Sequence, residues 1–363
     1  MLGRKQIELD TTAIASSISN KVVMVTGAAG SIGSEITRQL IRFKPSKIIL
    51  LDQAETQLHE LNIELQENYK DAPAIYILAD VRKKDELKSV FELYHPDIIF
   101  HAAAYKHVPL MEINPSQAVF TNILGTKNIA DLAIEYNVER FVMISTDKAV
   151  NPSSVMGASK RIAEMYVQSL EGNRSNKTKF ITTRFGNVLG SNGSVVPLFT
   201  KQINQGGPVT ITHPDIIRYF MTIPESCQLV LEACAMGTGG EIYIFDMGEP
   251  IKIIDLAKKM IRLAGYIPEI EIEIKSIGLR PGEKLFEELL NDSSRTQPTH
   301  HEKIMISKES FIDNSAINNL ISEVISDASK QNSEKIVQQM KKIVPEYKSL
   351  NSIYEKLDKS TDF

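Results

Sequence analysis

Tryptophan is absent from this sequence, cysteine occurs twice, and no stretch stays apolar for long. Each shortage closes a class of protein. Cys227 and Cys234 lie in one apolar segment that reads as a helix, so both are expected as small buried side chains rather than a disulfide or a metal site. The longest apolar runs, such as Ile48 to Leu51, fall far short of the ~20 residues that span a bilayer, so no membrane segment is expected in this chain. The opening residues, MLGRKQIELD, lack the apolar core of a signal peptide. An excess of one charge is missing too. Lys and Arg number 41 against 45 Asp and Glu, for a net charge of −4 and an isoelectric point near 6.0, which argues against nucleic acid as the main partner. The expectation is a cytoplasmic globular protein whose 363 residues suffice for one large domain and a smaller lobe.

What is present is an alternation. After a polar, aperiodic leader over residues 1–20, short Val/Ile-rich runs appear at 22–26, 47–52, 74–80, 97–103 and 139–146. Between them lie segments whose apolar spacing is near 3.6, such as 54–67 and 115–136. Near-continuous apolar strands alternating with helices imply a parallel sheet covered on both faces. The fold class is therefore α/β, with a Rossmann-type doubly wound sheet over 21–190 and ligands at the carboxyl ends of its strands. After Gly190 the texture becomes rich in Gly and Pro, and 191–308 reads mainly as a smaller C-terminal substrate-binding lobe. Residues 309–363 form a helical tail with amphipathic pieces such as 334–343 and no identifiable chemistry.

The first strand runs into TGAAGSIGSE, which sets Gly27, Gly30 and Gly33 at a strand-to-helix turn. Such glycines allow a tight turn and close approach of backbone to a pyrophosphate, which then sits on the helix N-terminus together with Ser31 and Ile32. Asp52 ends the next strand about 20 residues on, where a carboxylate would hold adenosine ribose hydroxyls and repel a 2′-phosphate. NAD is accordingly expected rather than NADP; the alternative is that Asp52 merely caps the following helix. Asp80 and Val81 end the third strand, where an adenine would lie. Ala102, Ala103 and Ala104 end the fourth in small residues that let backbone pass close to a ligand.

The fifth strand ends in Ser145-Thr146-Asp147-Lys148, followed by AVNPSSVMGASK. With AAAYKHVPLME, TNILGT, TRFGNVLGSNGSVVP, RYFMT and GLRPGEKLFEELL, this stretch resembles the extended short-chain dehydrogenase/reductases, and within them bacterial UDP-N-acetylglucosamine 4,6-dehydratases of surface-glycan biosynthesis. The resemblance spans roughly residues 20 to 310. The leader LGRKQIELD also resembles the linker to the membrane-spanning half of the large members, so the chain is expected as the soluble part of a membrane-anchored parent or as a short natural form.

One position departs from the wider family, which sets a Tyr four residues before a Lys on one helix face. Here the Lys is Lys160 and the Tyr position is Met156, whose thioether takes up no proton at neutral pH. The dehydratase subgroup resembled here commonly carries Met, so the resemblance moves the acid–base work to the strand end. NAD takes hydride from C4 of the hexose, a base removes the C5 proton, the C6 hydroxyl leaves as water, and hydride returns to C6. An acid and a base must coexist for this. By resemblance Asp147 is the acid at C6, Lys148 the base at C5, Thr146 the partner of the 4-hydroxyl, and Lys160 the residue on the nicotinamide ribose.

The same resemblance places the UDP-N-acetylglucosamine site. Lys106 and VPLME face the sugar, while Asn187, Arg280 and Glu283 hold UDP. A guanidinium suits a diphosphate and a carboxylate suits ribose hydroxyls. Asn122 is grouped with the cofactor site and is expected to order the active-site end of its helix; Arg218 is expected to touch phosphate or to pair structurally. His101, His107 and His213 lack metal-ligand spacing, and no metal is assigned. Two other functions remain open, a UDP-sugar epimerase and a non-catalytic NAD-binding sensor. Met156 speaks against the first and the intact Thr146-Asp147-Lys148 cluster against the second. A homodimer is the base expectation for an enzyme of this kind.

Overall fold

A computed structural model describes residues 9–172, 176–288, 296–309 and 313–360. The first part of the expected leader (1–8) and the last two residues of GLRPGEKLFEELL lie outside the described residues. The strands, in chain order, are β1 (Val22–Thr26), β2 (Lys47–Asp52), β3 (Ala74–Leu78), β4 (Ile98–His101), β5 (Arg140–Thr146), β6 (Lys179–Phe185) and β7 (Asn187–Leu189). They continue with β8 (Val209–Ile211), β9 (Ile217–Thr222), β10 (Ile242–Phe245), β11 (Pro250–Lys252), β12 (Ile274–Ser276), β13 (Thr296–Pro298) and β14 (Ile304–Ser307).

Nine strands form one sheet in the order β13-β14-β10-β6-β5-β4-β1-β2-β3. From β3 to β10 every pairing is parallel, and β14 and β13 add an antiparallel edge. Val23, Met24 and Val25 of β1 and Ile48, Ile49 and Leu50 of β2 are fully buried, as strands covered on both faces require. One face carries helices Lys84–Tyr94, Thr126–Glu135 and Val155–Ser169, the other Ser31–Ile41, Glu55–Asn68 and Ile223–Met236. The order β3-β2-β1-β4-β5-β6 is the doubly wound arrangement, which turns the carboxyl ends of β1, β4 and β5 toward one cleft.

Three features differ from the sequence reading. The supposedly aperiodic leader is helical over Thr11–Ile18, capped by Asp10, whose carboxylate accepts from Ala13 N at 2.9 Å. Its signal is only Ile14 and Ile18, one turn apart among Thr and Ser, and their burial against the helix Ile223–Met236 supplies what propensity lacks. Next, the chain after Gly190 does not stay in the lobe. The apolar helix Ile223–Met236, with both cysteines buried and unpaired, returns to the large sheet, as do β10, β13 and β14. The lobe proper is built on Phe199, Ile203, Val209, Ile211, Phe220, Leu256 and Ile261, with two small sheets, β11-β9-β7 and β12-β8.

The tail is the third. Its helices Asn314–Ser329 and Ser333–Ile343 bury Ile317, Ile321, Val324, Ile336, Val337 and Met340 in the core that also holds the inner face of Val155–Ser169. The following strap then reaches the cleft. Lys348 N donates to Pro152 O, Leu350 N to Ser153 O, and Leu350 O accepts from Gly282 N at 2.7 Å. Ser352 Oγ donates to Glu112 Oε2 at 2.6 Å, and the other oxygen of Glu112 accepts from Val155 N, the first residue of the helix that carries Met156.

Candidate active site

A cleft of about 890 Å³ opens at the strand ends, between sheet and lobe. It is lined by Gly27, Gly30, Ser31, Ile32, Gly33, Ala102, Ala104, Lys106, Thr146, Lys148, Met156, Lys160, Asn187, Arg218, Arg280 and Glu283. Asp52, Asp80, Val81, Ala103, Asn122 and Asp147 are not part of that lining.

The glycine turn shows why these positions carry no side chain. Gly27 has φ +67°, and a Cβ there would come within 2.6 Å of Ala103 N, so β1 and β4 can meet only through bare backbone. At Gly30 a Cβ would stand 3.2 Å from Gly27 O, a tight contact with backbone that favours glycine there too. Gly30 caps the helix Ser31–Ile41 without any side-chain bond to its first N–H groups. A bare helix N-terminus facing a cleft fits a diphosphate. Asp52 braces this turn: Oδ2 accepts from Ala29 N at 2.9 Å and Oδ1 from Ala54 N at 3.0 Å. The next helix starts at Glu55 with Ala54 as its cap, so Asp52 is not its capping residue, and each oxygen keeps a lone pair for a hydroxyl.

Other positions expected around the cofactor make contacts within the protein. Burial pushes the Asp80 carboxyl up, but Arg82, 2.5 Å away, outweighs it and leaves the group below its ordinary range. Val81 packs against Gly125, where a Cβ would meet its Cγ2 at 2.7 Å. Asn122 is fully buried on a π-helical turn, Val119–Gly125. Its amide accepts from Tyr105 N and donates to Tyr105 O and Ser159 Oγ, which ties the loop after β4 to the helix of Met156 and Lys160. Its polar atoms are spent on protein, so Asn122 orders the site rather than lining it. π-helical turns recur where a helix must aim functional groups.

At the end of β5 the chain makes one 3-10 turn, Asp147–Ala149. Thr146 Oγ donates to Asp147 Oδ1 at 2.7 Å, and Lys148 Nζ donates to the same oxygen at 3.0 Å. Gly186 lets this carboxylate in, since a Cβ there would stand 2.9 Å from Asp147 Oδ2. Lys148 Nζ also reaches Asn187 Oδ1 at 3.3 Å and Glu287 Oε1 at 3.5 Å. Burial pulls the Lys148 ammonium down, but Asp147 and Glu287 together push it above the ordinary lysine value. Lys160 differs. Its Nζ donates to Ile144 O at 2.7 Å with no carboxylate of the described residues in contact, and burial lowers it to about 8. Met156, 3 % exposed, faces the cleft one turn before Lys160.

On the lobe side, Arg218 proves a structural anchor. It donates to Ile217 O, Leu285 O and Lys284 O and pairs with Glu283 and Glu287, so its guanidinium holds the 283–287 loop. Arg280 is half exposed and pairs with Glu283 at 3.3 Å. Glu283 also accepts from Thr212 Oγ1. Lys106, with Ser191 Oγ at 3.4 Å, is lowered by burial; His107 is lowered by burial and by Lys106 and Arg280, which marks a cationic side of the cleft. Glu287 escaped the sequence reading, because only the lobe loop brings it to Lys148. Glu112, expected on the sugar-facing VPLME stretch, is instead buried and bonded to Val155 N and Ser352 Oγ.

With this geometry in hand, the relatives are informative. The family of polysaccharide biosynthesis proteins matches residues 23–309. The chain belongs to that family. Its fold is that of the extended short-chain dehydrogenase/reductases. Capsular polysaccharide biosynthesis protein CapD of Staphylococcus aureus is 51% identical over 337 residues, covering 93% of this chain and 56% of CapD. Probable polysaccharide biosynthesis protein EpsC of Bacillus subtilis is covered to 51%, so the chain spans about half the length of these two relatives. The inverting UDP-N-acetylglucosamine 4,6-dehydratase of Campylobacter jejuni is 35% identical, over 75% of this chain and 78% of the relative. UDP-glucose 4-epimerase of Rickettsia canadensis is 39% identical over the same shares. Among solved structures, Pen from Bacillus thuringiensis superposes with a TM-score of 0.73 at 34% identity, covering 82% of this chain and 90% of Pen. The NAD complex of Thermus thermophilus UDP-glucose 4-epimerase superposes with a TM-score of 0.64 at 26% identity, covering 74% and 90%. Among the described residues no helix is long and apolar enough to cross a membrane.

Proposed function

We propose that this family member is an NAD-dependent 4,6-dehydratase of a UDP-N-acetylhexosamine, UDP-N-acetylglucosamine in the first instance, serving surface-glycan synthesis. The observation that carries the reading is the triplet at the end of β5. A carboxylate and an amine stand at hydrogen-bond distance beside the cleft, with a thioether where a phenol would serve simple oxidation and reduction. The cofactor would rest on the Gly27–Gly33 turn, with Asp52 toward its ribose and Lys160 toward the nicotinamide end. When bound it supplies the hydride acceptor for C4 and the donor for C6.

The chain's own groups handle protons. Thr146, whose hydroxyl already donates to Asp147, accepts the O4 proton and passes its own to Asp147. Asp147 then protonates the C6 hydroxyl, which leaves as water. Lys148, once neutral, takes the C5 proton and gives one back to C5 when the C5–C6 double bond is reduced. The sum is loss of one water. Lys106 and Arg280 would meet the anionic part of the substrate.

A second reading, UDP-sugar 4-epimerase, is favoured by the Rickettsia relative. One experiment separates them. Incubated with NAD and UDP-N-acetylglucosamine, a dehydratase yields a product lighter by one water in the mass spectrum, an epimerase an isomer of unchanged mass. No change with any UDP-N-acetylhexosamine would end the dehydratase reading.

A further inference from the structure

We propose that Glu287 is a positioning residue for Lys148: reaching across from the nucleotide-side loop, it holds the amine at the cleft wall and opposes loss of its proton. The inference rests on the reading of Lys148 as the group that must become neutral to act at C5.

Three partners from three elements converge on Lys148 Nζ: Asp147 at the end of β5 at 3.0 Å, Asn187 at the start of β7 at 3.3 Å, and Glu287 at 3.5 Å. Glu287 is not a surface carboxylate that wandered in. Its side chain is 4 % exposed, and Arg218 Nε holds it at 3.4 Å while the rest of that guanidinium grips the carbonyls of Ile217, Lys284 and Leu285. The loop that carries Arg280 and Glu283 therefore also fixes where Lys148 can point.

The charged groups facing Lys148 are Asp147 and Glu287, which favour the ammonium, and Arg218, which opposes it. With Glu287 neutral, Asp147 would be left to oppose both burial and the Arg218 guanidinium. Asp147 alone then decides how firmly the proton is held. Neutral amine is the form able to take a proton from carbon, so Glu287 sets the pH at which that form appears.

The test reads Lys148 directly. Labelling with acetic anhydride across pH, followed on the Lys148 peptide by mass spectrometry, gives the midpoint of its deprotonation in holoenzyme. Glu287→Gln should lower that midpoint by about one unit, in keeping with the effect of removing one nearby opposite charge. Glu287→Asp keeps the charge one methylene further back and should lower it less, which also serves if the Gln variant folds poorly. In heavy water, the acidic limb of C5 exchange into UDP-N-acetylglucosamine should move with the labelling midpoint, while UDP affinity stays within about twofold. An unmoved midpoint in both variants overturns the proposal. A midpoint that moves in a protein showing neither C5 exchange nor water loss keeps Glu287's hold on Lys148 and overturns the assignment of Lys148 as base.

Discussion

Lys148 Nζ stands 3.0 Å from Asp147 Oδ1, although the two are neighbours in sequence, because β5 ends at Thr146 and the chain turns at once into a 3-10 turn. In a strand, adjacent side chains point to opposite faces. The abrupt end of β5 is what brings a carboxylate and an ammonium into contact beside the cleft.

The pair can be taken apart by substitution. Asp147→Asn removes the end acceptor of the O4 proton as well as the acid at C6 but leaves Lys148, so C4 oxidation slows, elimination of water falls ~10²–10⁴-fold, and such ketone as forms should exchange its C5 hydrogen with heavy water faster than it loses water. Lys148→Met should lose both exchange and elimination. Single-turnover mass spectrometry reads both, and C5 exchange persisting in Lys148→Met would reassign the base.

Lys160 is held charged at a cost. Its folded value, about 8, lies below the usual 10.5, so the destabilisation is complete below pH 8 and fades as pH rises from 8 toward 10.5. Lys160→Met should therefore stabilise the fold by about 2 kcal/mol at pH 7 and by little near pH 10, while activity is lost. Urea unfolding at the two pH values checks this; an equal gain at both would mean the charge is not the cause.

Asp52 should set cofactor choice. Its two oxygens lie at the Ala29 and Ala54 amides, where a 2′-phosphate would meet a carboxylate. Wild-type protein should bind NAD far better than NADP by calorimetry, and Asp52→Ala should narrow the gap, because a repulsive element is lost. Wild-type preference for NADP would remove Asp52 from this role.

Arg280 offers a clean probe of the proposed nucleotide side, being half exposed and paired through its side chain, among the described residues, only with Glu283. Arg280→Ala should leave the melting temperature nearly unchanged yet weaken UDP binding by about 2 kcal/mol, the scale of one charge-assisted hydrogen bond. Unaltered UDP affinity would place the diphosphate elsewhere, with Lys106 and His107 the next cations to test.

The first five strands were legible because their Val/Ile runs are bounded by polar or glycine residues, and β1 and β2 fall where those runs begin and end. The glycine turn and the Thr146-Asp147-Lys148 cluster were legible for the same reason: each is local. What could not be read was assembled at a distance. Ile14 and Ile18 become a helix face only against Ile223–Met236, and Arg218, open in the sequence between a phosphate contact and structural pairing, is gripped by the carbonyls of Lys284 and Leu285 on a distant loop. Glu287 carries no mark in GLRPGEKLFEELL that separates it from the glutamate beside it. Its partner lies on a strand end far back in the chain.

The strap formed by residues 348–352 lies beyond residue 309, where the family match stops, yet it bonds to the loops at Ser153 and Gly282 and to Glu112, 240 positions earlier. The reacting groups and the scaffolding that steadies them are thus encoded in separate stretches. A change at Ser352 would reach the first turn of the helix that carries Met156 through Glu112, without altering any residue of the cleft lining.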